Sequence, residues 1–130
     1  MLAVVNTPNG TAPVELRDVP EPRPAPNEAL IEVRAFSLNR GELRLFQIRP
    51  EGWRPGQDIS GVVVRAAADG NGPPMGARIV ALTDNAGWAQ RVAVPSPASL
   101  RSAPSPALRE RGDPGAAAAG WVRAYRTSLS

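Results

Sequence analysis

The sequence contains no cysteine, no histidine and no lysine, and only 5% of its residues are aromatic. Without cysteine there is no disulfide, no thiolate nucleophile and no cysteine zinc site. Without histidine there is no imidazole base, no Ser-His-Asp triad and no histidine metal ligand. Any metal would have to be held by carboxylates alone. No apolar run reaches the ~18 residues of a membrane span. The start, Met1-Leu2-Ala3-Val4-Val5, lacks the basic flank and long apolar stretch of a secretory signal. A cytoplasmic protein with no membrane partner is therefore expected.

What is present is a 130-residue chain, 42% hydrophobic and 21% charged, with 12 Gly and 15 Pro. That length suits one domain with one core, built here mostly from Val, Ala, Leu and Ile. All 15 basic residues are arginine, which lifts the isoelectric point to about 10.9 because arginine hardly titrates. Residues 1–94 nevertheless hold ten Arg and ten Asp or Glu, so the whole net charge of +3 lies in residues 95–130. A body of zero net charge has little pull on phosphates, and a nucleic-acid partner is not expected. The exclusive use of arginine, with abundant Ala and Pro, reads as the mark of a G- and C-rich genome.

Two regimes meet near Pro95. Before it, short strands alternate with turns. Strands are expected over Leu2–Val5, Val14–Val19, Ala29–Phe36, Ile59–Arg65, Arg78–Leu82 and Trp88–Val94. Pro20, Pro22, Pro24 and Pro26 fall at every second position, which makes an extended surface linker, since proline cannot donate to a sheet ladder. Glu42–Gln47 suits a short helical turn, and Asn6 to Gly10 and Asp69 to Pro74 are turn clusters. Short strands at near-regular spacing imply a barrel or sandwich. After Pro95, residues 96–106 are rich in Ser, Pro and Ala without a period. Asp113-Pro114 can open a helix over 114–126, with Trp121, Val122 and Tyr125 giving it a partial apolar face.

Four stretches, in this order and spacing, carry a family resemblance: Pro22 to Phe36, Ser37-Leu38-Asn39-Arg40-Gly41-Glu42-Leu43, Gly56-Gln57-Asp58-Ile59-Ser60-Gly61-Val62-Val63, and Gly76-Ala77-Arg78-Ile79-Val80 followed by Gly87-Trp88-Ala89-Gln90. Residues 1–95 resemble the GroES-like (alcohol dehydrogenase N-terminal) catalytic domain of the medium-chain dehydrogenase/reductase superfamily, closest to the zinc-free quinone oxidoreductases. The resemblance implies a mainly β fold: a GroES-like, partly open β-barrel with short helices, followed by a Pro/Ala/Arg-rich tail over 96–130. Zinc members of the superfamily carry a zinc-binding Cys where this chain has Asn39, and a His where it has Gln57. Neither replacement is a plausible zinc ligand, so no zinc is expected.

The resemblance further implies NADPH as cofactor and a small-molecule quinone or enone as hydride acceptor. It makes Asn39 the catalytic candidate, Asn39 and Arg40 the cofactor-side candidates, and Gln57 and Asp58 the substrate-side ones. Catalysis of this kind needs orientation and a polarising hydrogen bond rather than a titrating acid. Plainer readings stand beside these. Asn39 is ordinarily a turn residue, Arg40 a solvated charge, and Asp58 a cap for nearby backbone N–H groups. Trp53 and Trp88 read as packing residues, and Gly61 as a bulge or close approach.

No Gly-x-Gly-x-x-Gly follows a strand, and Gly70-Asn71-Gly72 runs into two prolines, so the dinucleotide-binding Rossmann domain is expected to be absent. The poor match of 96–115 suggests a truncated product, with an altered reading frame as one origin. An intact stop codon with no Rossmann-like frame beyond it would count against that expectation. Two functions compete: the substrate-side domain of an oxidoreductase, inactive alone and completed by a separate Rossmann-containing chain, or a non-catalytic GroES-like module for binding or homo-oligomerisation.

Overall fold

Alternating apolar and charged residues in two segments and short Val-, Ile- and Ala-rich runs in the others build the sheets. In the computed structural model, which describes residues 1–96 and 100–102, β1 (Leu2–Asn6) and β2 (Val14–Asp18) pair antiparallel, with Leu2 opposite Asp18 and Asn6 opposite Val14. The Thr7 N–H donates to the Pro13 carbonyl at 2.9 Å and closes that hairpin. Residues 20–25 then run over the surface without ladder pairing, as proline at every second position requires, and end in a turn at 26–27 where the Glu28 N–H donates to the Ala25 carbonyl at 2.9 Å. Arg91 holds this linker from the far strand, its Nε donating to Glu21 Oε2 at 2.7 Å.

The second sheet comprises β3 (Glu28–Phe36), β4 (Asp58–Arg65), β5 (Arg78–Leu82), β6 (Arg91–Pro95) and β7 (Leu100–Ser102), all antiparallel in the order β6-β3-β4-β5-β7. One face of it is the core: Ala29 and Ile31, Ile59 and Val63, Ile79 and Ala81, Val92 and Val94 are all buried. These are the alternate positions of each strand, as the two-residue period of a pleated strand dictates. Between Val33 and Ala35 the β3–β4 register shifts opposite Gly61. A Cβ on Gly61 would stand 2.2 Å from the Glu32 carbonyl oxygen, so only glycine permits this approach.

The mainly β, GroES-like, partly open architecture expected from the sequence is present, and among the described residues no barrel closes. Several local expectations need correction. The helical turn at 42–47 is a nine-residue helix, α1 (Arg40–Ile48), because Asn39 and Glu42 complete its N-terminus. The strand expected over Trp88–Val94 begins only at Arg91. Its first part turns instead to β1: the Val4 N–H donates to the Trp88 carbonyl at 2.8 Å, and Ala3 bridges Ala89. Asn6, read as part of a turn, is the last residue of β1 and fully buried. Its Nδ2 donates to the carbonyls of Phe46, Arg49 and Pro50 at 3.2, 2.7 and 3.3 Å, fastening the C-terminal end of α1 to β1. The segment after Pro95, read as aperiodic, contributes β7 to the edge of the large sheet. The helix expected over 114–126 lies outside the described residues.

Candidate functional site

The site lies where β3 ends, α1 begins and β4 begins. Phe36 is the last residue of β3, Asn39 is the N-cap of α1 with extended backbone (φ −98°, ψ 148°), and Asp58 is the first residue of β4. The antiparallel pairing of β3 with β4 sets Phe36 opposite Ile59, which brings the segment after one strand against the segment before the other.

Side chains then converge on the Asp58 carboxylate. Ser37 Oγ donates to Asp58 Oδ2 at 2.9 Å, and Asn39 Nδ2 donates to the same oxygen. Asn39 Nδ2 also lies 3.5 Å from Ser37 Oγ. The Asn39 carboxamide is thereby fixed in rotation, with its amine end committed to Asp58. The plain reading of Asp58 as a cap for backbone N–H groups is corrected: its partners here are side chains.

Below this cluster sits Glu42, on the third residue of α1 and with no solvent exposure. Its Oε2 accepts the Asn39 N–H at 2.8 Å, and its Oε1 accepts the Gln57 N–H at 3.1 Å. Burial pushes its carboxyl above the usual carboxylate range. The N–H groups of Asn39 and Gln57 pull the other way, and the like charge of Asp58 adds to the rise. Glu42 was not among the residues singled out from the sequence. Its signal was there in Asn39-x-x-Glu42, the spacing of a capping box.

The turn that carries Gln57 is itself tightly held. Gly56 has φ +117°, and a Cβ on it would stand 2.3 Å from the Trp88 nitrogen. Thr83 Oγ1 donates to the Gly56 carbonyl at 2.6 Å, and the Thr83 N–H to the Gln57 carbonyl at 2.7 Å. Trp88 packs under the site, stacked on Phe36 at 5.2 Å between ring centroids and edge-on to Phe46 at 5.9 Å. Its indole N–H donates to the Ser37 carbonyl at 3.2 Å. Packing and a hydrogen bond thus account for Trp88, as expected of a buried tryptophan.

Of the four residues chosen from the sequence, Asn39, Gln57 and Asp58 come together. Asn39 and Asp58 bond directly, and Gln57 is linked to Asn39 through Glu42. Arg40 stands at the first position of α1 with its side chain exposed. An open concavity of about 540 Å³ adjoins the ring pair, lined by Leu2, Val4, Leu16, Val33, Phe36 and Trp88 among others. Among the described residues no group of three or more carboxylates gathers as a metal would require. None of their helices is long and apolar enough to cross a membrane.

Comparison with known proteins gives solved structures only; no protein-family model and no curated protein matches the chain. The quinone oxidoreductase from Thermus thermophilus, solved alone and in complex with NADPH, is 31% identical with a TM-score of 0.65. An alcohol dehydrogenase superfamily protein from Novosphingobium aromaticivorans is 28% identical with a TM-score of 0.71. The human synaptic vesicle membrane protein VAT-1 homolog-like protein is 27% identical with a TM-score of 0.72. The matches take in 85%, 85% and 82% of this chain, but only 35%, 36% and 36% of those proteins. The chain spans about a third of their length.

Proposed function

From a chain related to the quinone oxidoreductases and other proteins of the medium-chain dehydrogenase/reductase superfamily, we propose a substrate-side domain of a zinc-independent, NADPH-dependent quinone or enone reductase. The observation that carries this reading is the Ser37–Asn39–Asp58 cluster, held rigid beside the Phe36–Trp88 ring pair. Such an arrangement offers a fixed polar rim against an apolar wall, which suits a flat, uncharged conjugated ring.

NADPH, when bound, would supply the hydride. The described residues fit only part of such a cofactor. The N-terminus of α1, the natural anion site of a helix, is already occupied by the Glu42 carboxylate and flanked by Asp58. A pyrophosphate placed there would meet two carboxyl groups, so its binding belongs to another unit. What Gln57 can do is donate from its side-chain amide to a ring carbonyl, while Asn39, its amine end held by Asp58, keeps that wall in a fixed shape. What Phe36 and Trp88 can do is keep water from one side. Proximity is then the source of any rate enhancement, with Asn39 as the catalytic candidate, Arg40 at the cofactor side, and Gln57 and Asp58 at the acceptor side.

The test is a complementation assay. The 130-residue chain, alone and with a separately produced dinucleotide-binding domain of a quinone oxidoreductase, is assayed for quinone-dependent NADPH oxidation. Oxidation is expected only from the pair, and Asn39→Ala is expected to lower it by roughly tenfold or more, the scale of one lost orienting contact. Saturable oxidation by the chain alone would remove the need for a second unit. No oxidation from a pair that demonstrably associates would overturn the enzymatic reading.

A second reading, a GroES-like module for association, draws on the apolar concavity. Leu16 in its wall is 70% exposed and Phe36 52% exposed, an unusual amount of large apolar side chain to leave in water.

A further inference from the structure

Glu42 is a buried acid that the proposed chemistry does not use, and its two oxygens are divided between two different loops. One accepts from the segment between β3 and α1 at Asn39, the other from the turn before β4 at Gln57. We infer that Glu42 is the positioning residue of the cleft, a clasp whose carboxylate locks the Asn39 and Gln57 backbones to one another, so that the shape of the site depends on a single proton. The inference rests on the reading of Asn39 and Gln57 as the ligand-facing wall.

The chemistry of the carboxyl group carries it. Ionised, the group accepts at both oxygens and satisfies both N–H groups. Protonated, one of its oxygens becomes an O–H, which faces an N–H donor and can no longer serve that partner well. Protonation therefore opens one arm of the clasp while leaving the bulk of the side chain in place. Volume is unchanged; only the link between the two loops is lost. An amide in this position has the same defect at every pH, since its NH₂ end must face one of the two N–H groups.

The groups around the clasp come from three elements, two of them charged. Glu42 itself rises from α1, and Asp58 faces it from β4 with like charge. The Gly56–Gln57 turn contributes N–H dipoles and no charge. Asp58 is held by Ser37 and Asn39, so it is coupled to the same loop from the other side. The polar cluster and the clasp thus share Asn39: its side chain answers to Asp58 and its backbone to Glu42.

The test needs neither cofactor nor turnover. Amide ¹H–¹⁵N shifts of the full chain are followed from about pH 8 to about pH 4. The Asn39 and Gln57 signals are expected to move together, with one shared midpoint above the ordinary glutamate value of about 4.3. In Glu42→Gln that shared transition is expected to vanish, and in Asp58→Asn it is expected to shift to lower pH because a like charge is gone. Separate midpoints for the two amides, no movement, or a transition that persists in Glu42→Gln would overturn the clasp. Should Glu42→Gln not fold, Asp58→Asn decides: a shared midpoint that survives in it comes from Glu42, the other acid that touches both loops, and its loss assigns the transition to Asp58 and overturns the clasp. A chain that shows the shared transition yet fails the complementation assay would sink the enzymatic reading and leave the clasp standing.

Discussion

Gly41 and Gly61 carry opposite constraints, and the difference lies in what a single carbon would touch. At Gly61 an added Cβ would press to 2.2 Å on the Glu32 carbonyl oxygen, where neither backbone can give way without breaking the β3–β4 pairing. At Gly41, inside α1, it would meet nothing within 4 Å. Gly61→Ala is expected to destabilise by about 1–3 kcal/mol or more, the cost of overpacking a rigid contact. Gly41→Ala is expected to stabilise by roughly 0.5–1 kcal/mol, since alanine is the better helix former. Denaturant melts of the two variants check both signs. A Gly61→Ala chain as stable as the parent would show that the strands can separate locally at little cost.

At the scale of elements, α1 illustrates how a helix can be tied at both ends by residues far from it in sequence. Asn6 from β1 holds its last carbonyls, and Glu42 fastens its first turn to the turn before β4. The Glu42 tie has a cost with a definite sign. Its carboxyl sits above the ordinary range in the folded chain because burial opposes charge. An acid whose folded pKa is raised binds more protons folded than unfolded in the window above its unfolded pKa. Its contribution to stability is therefore greatest when it is protonated and falls as pH rises through that window. Glu42→Gln lacks this loss, so the melting temperature of the variant relative to the parent is expected to climb between about pH 4 and pH 7. A constant difference would place the Glu42 pKa at its ordinary value. Glu21 acts in the opposite direction: Arg91 lowers its carboxyl, so what stability it confers is lost as pH falls, though both side chains are too exposed for this to weigh much.

For the whole molecule, the question is what the apolar concavity does. Leu2, Leu16 and Phe36 all line it and are all exposed. If it is an association surface, sedimentation velocity should show self-association that rises with concentration, and Leu16→Asp should abolish it without lowering stability. Monomer throughout would remove the assembly reading. Much of the sheet layout was legible beforehand, because β3 alternates, β4 and β5 carry the short apolar runs Val62–Val64 and Ile79–Leu82, and prolines and glycines mark their ends. Of the site, Asn39, Gln57 and Asp58 were legible through family resemblance. Glu42 was legible only as the capping-box partner of Asn39 and not as a buried acid, because a charged residue in an amphipathic stretch is ordinarily read as solvated. Its burial follows from a tertiary contact with Gln57 that no local pattern reveals. The departure of Trp88–Gln90 from β6 toward β1 was hidden for the same reason: an alternating run states that a strand exists, not which partner it takes.

That departure also sets a timetable. The Leu2 N–H donates to the Gln90 side chain, 88 positions along the chain, at 2.8 Å. During synthesis at about 5–20 residues per second, the first strand therefore waits roughly 4–18 s before its second neighbour exists. Until then β1 has β2 on one side and, at Asn6 alone, the end of α1 and Trp53 on the other, so its Leu2–Val4 edge is unpaired. The edge of β1 that meets Trp88–Gln90 thus stays open while the intervening residues are made, an unpaired row of N–H and C=O groups on the nascent chain.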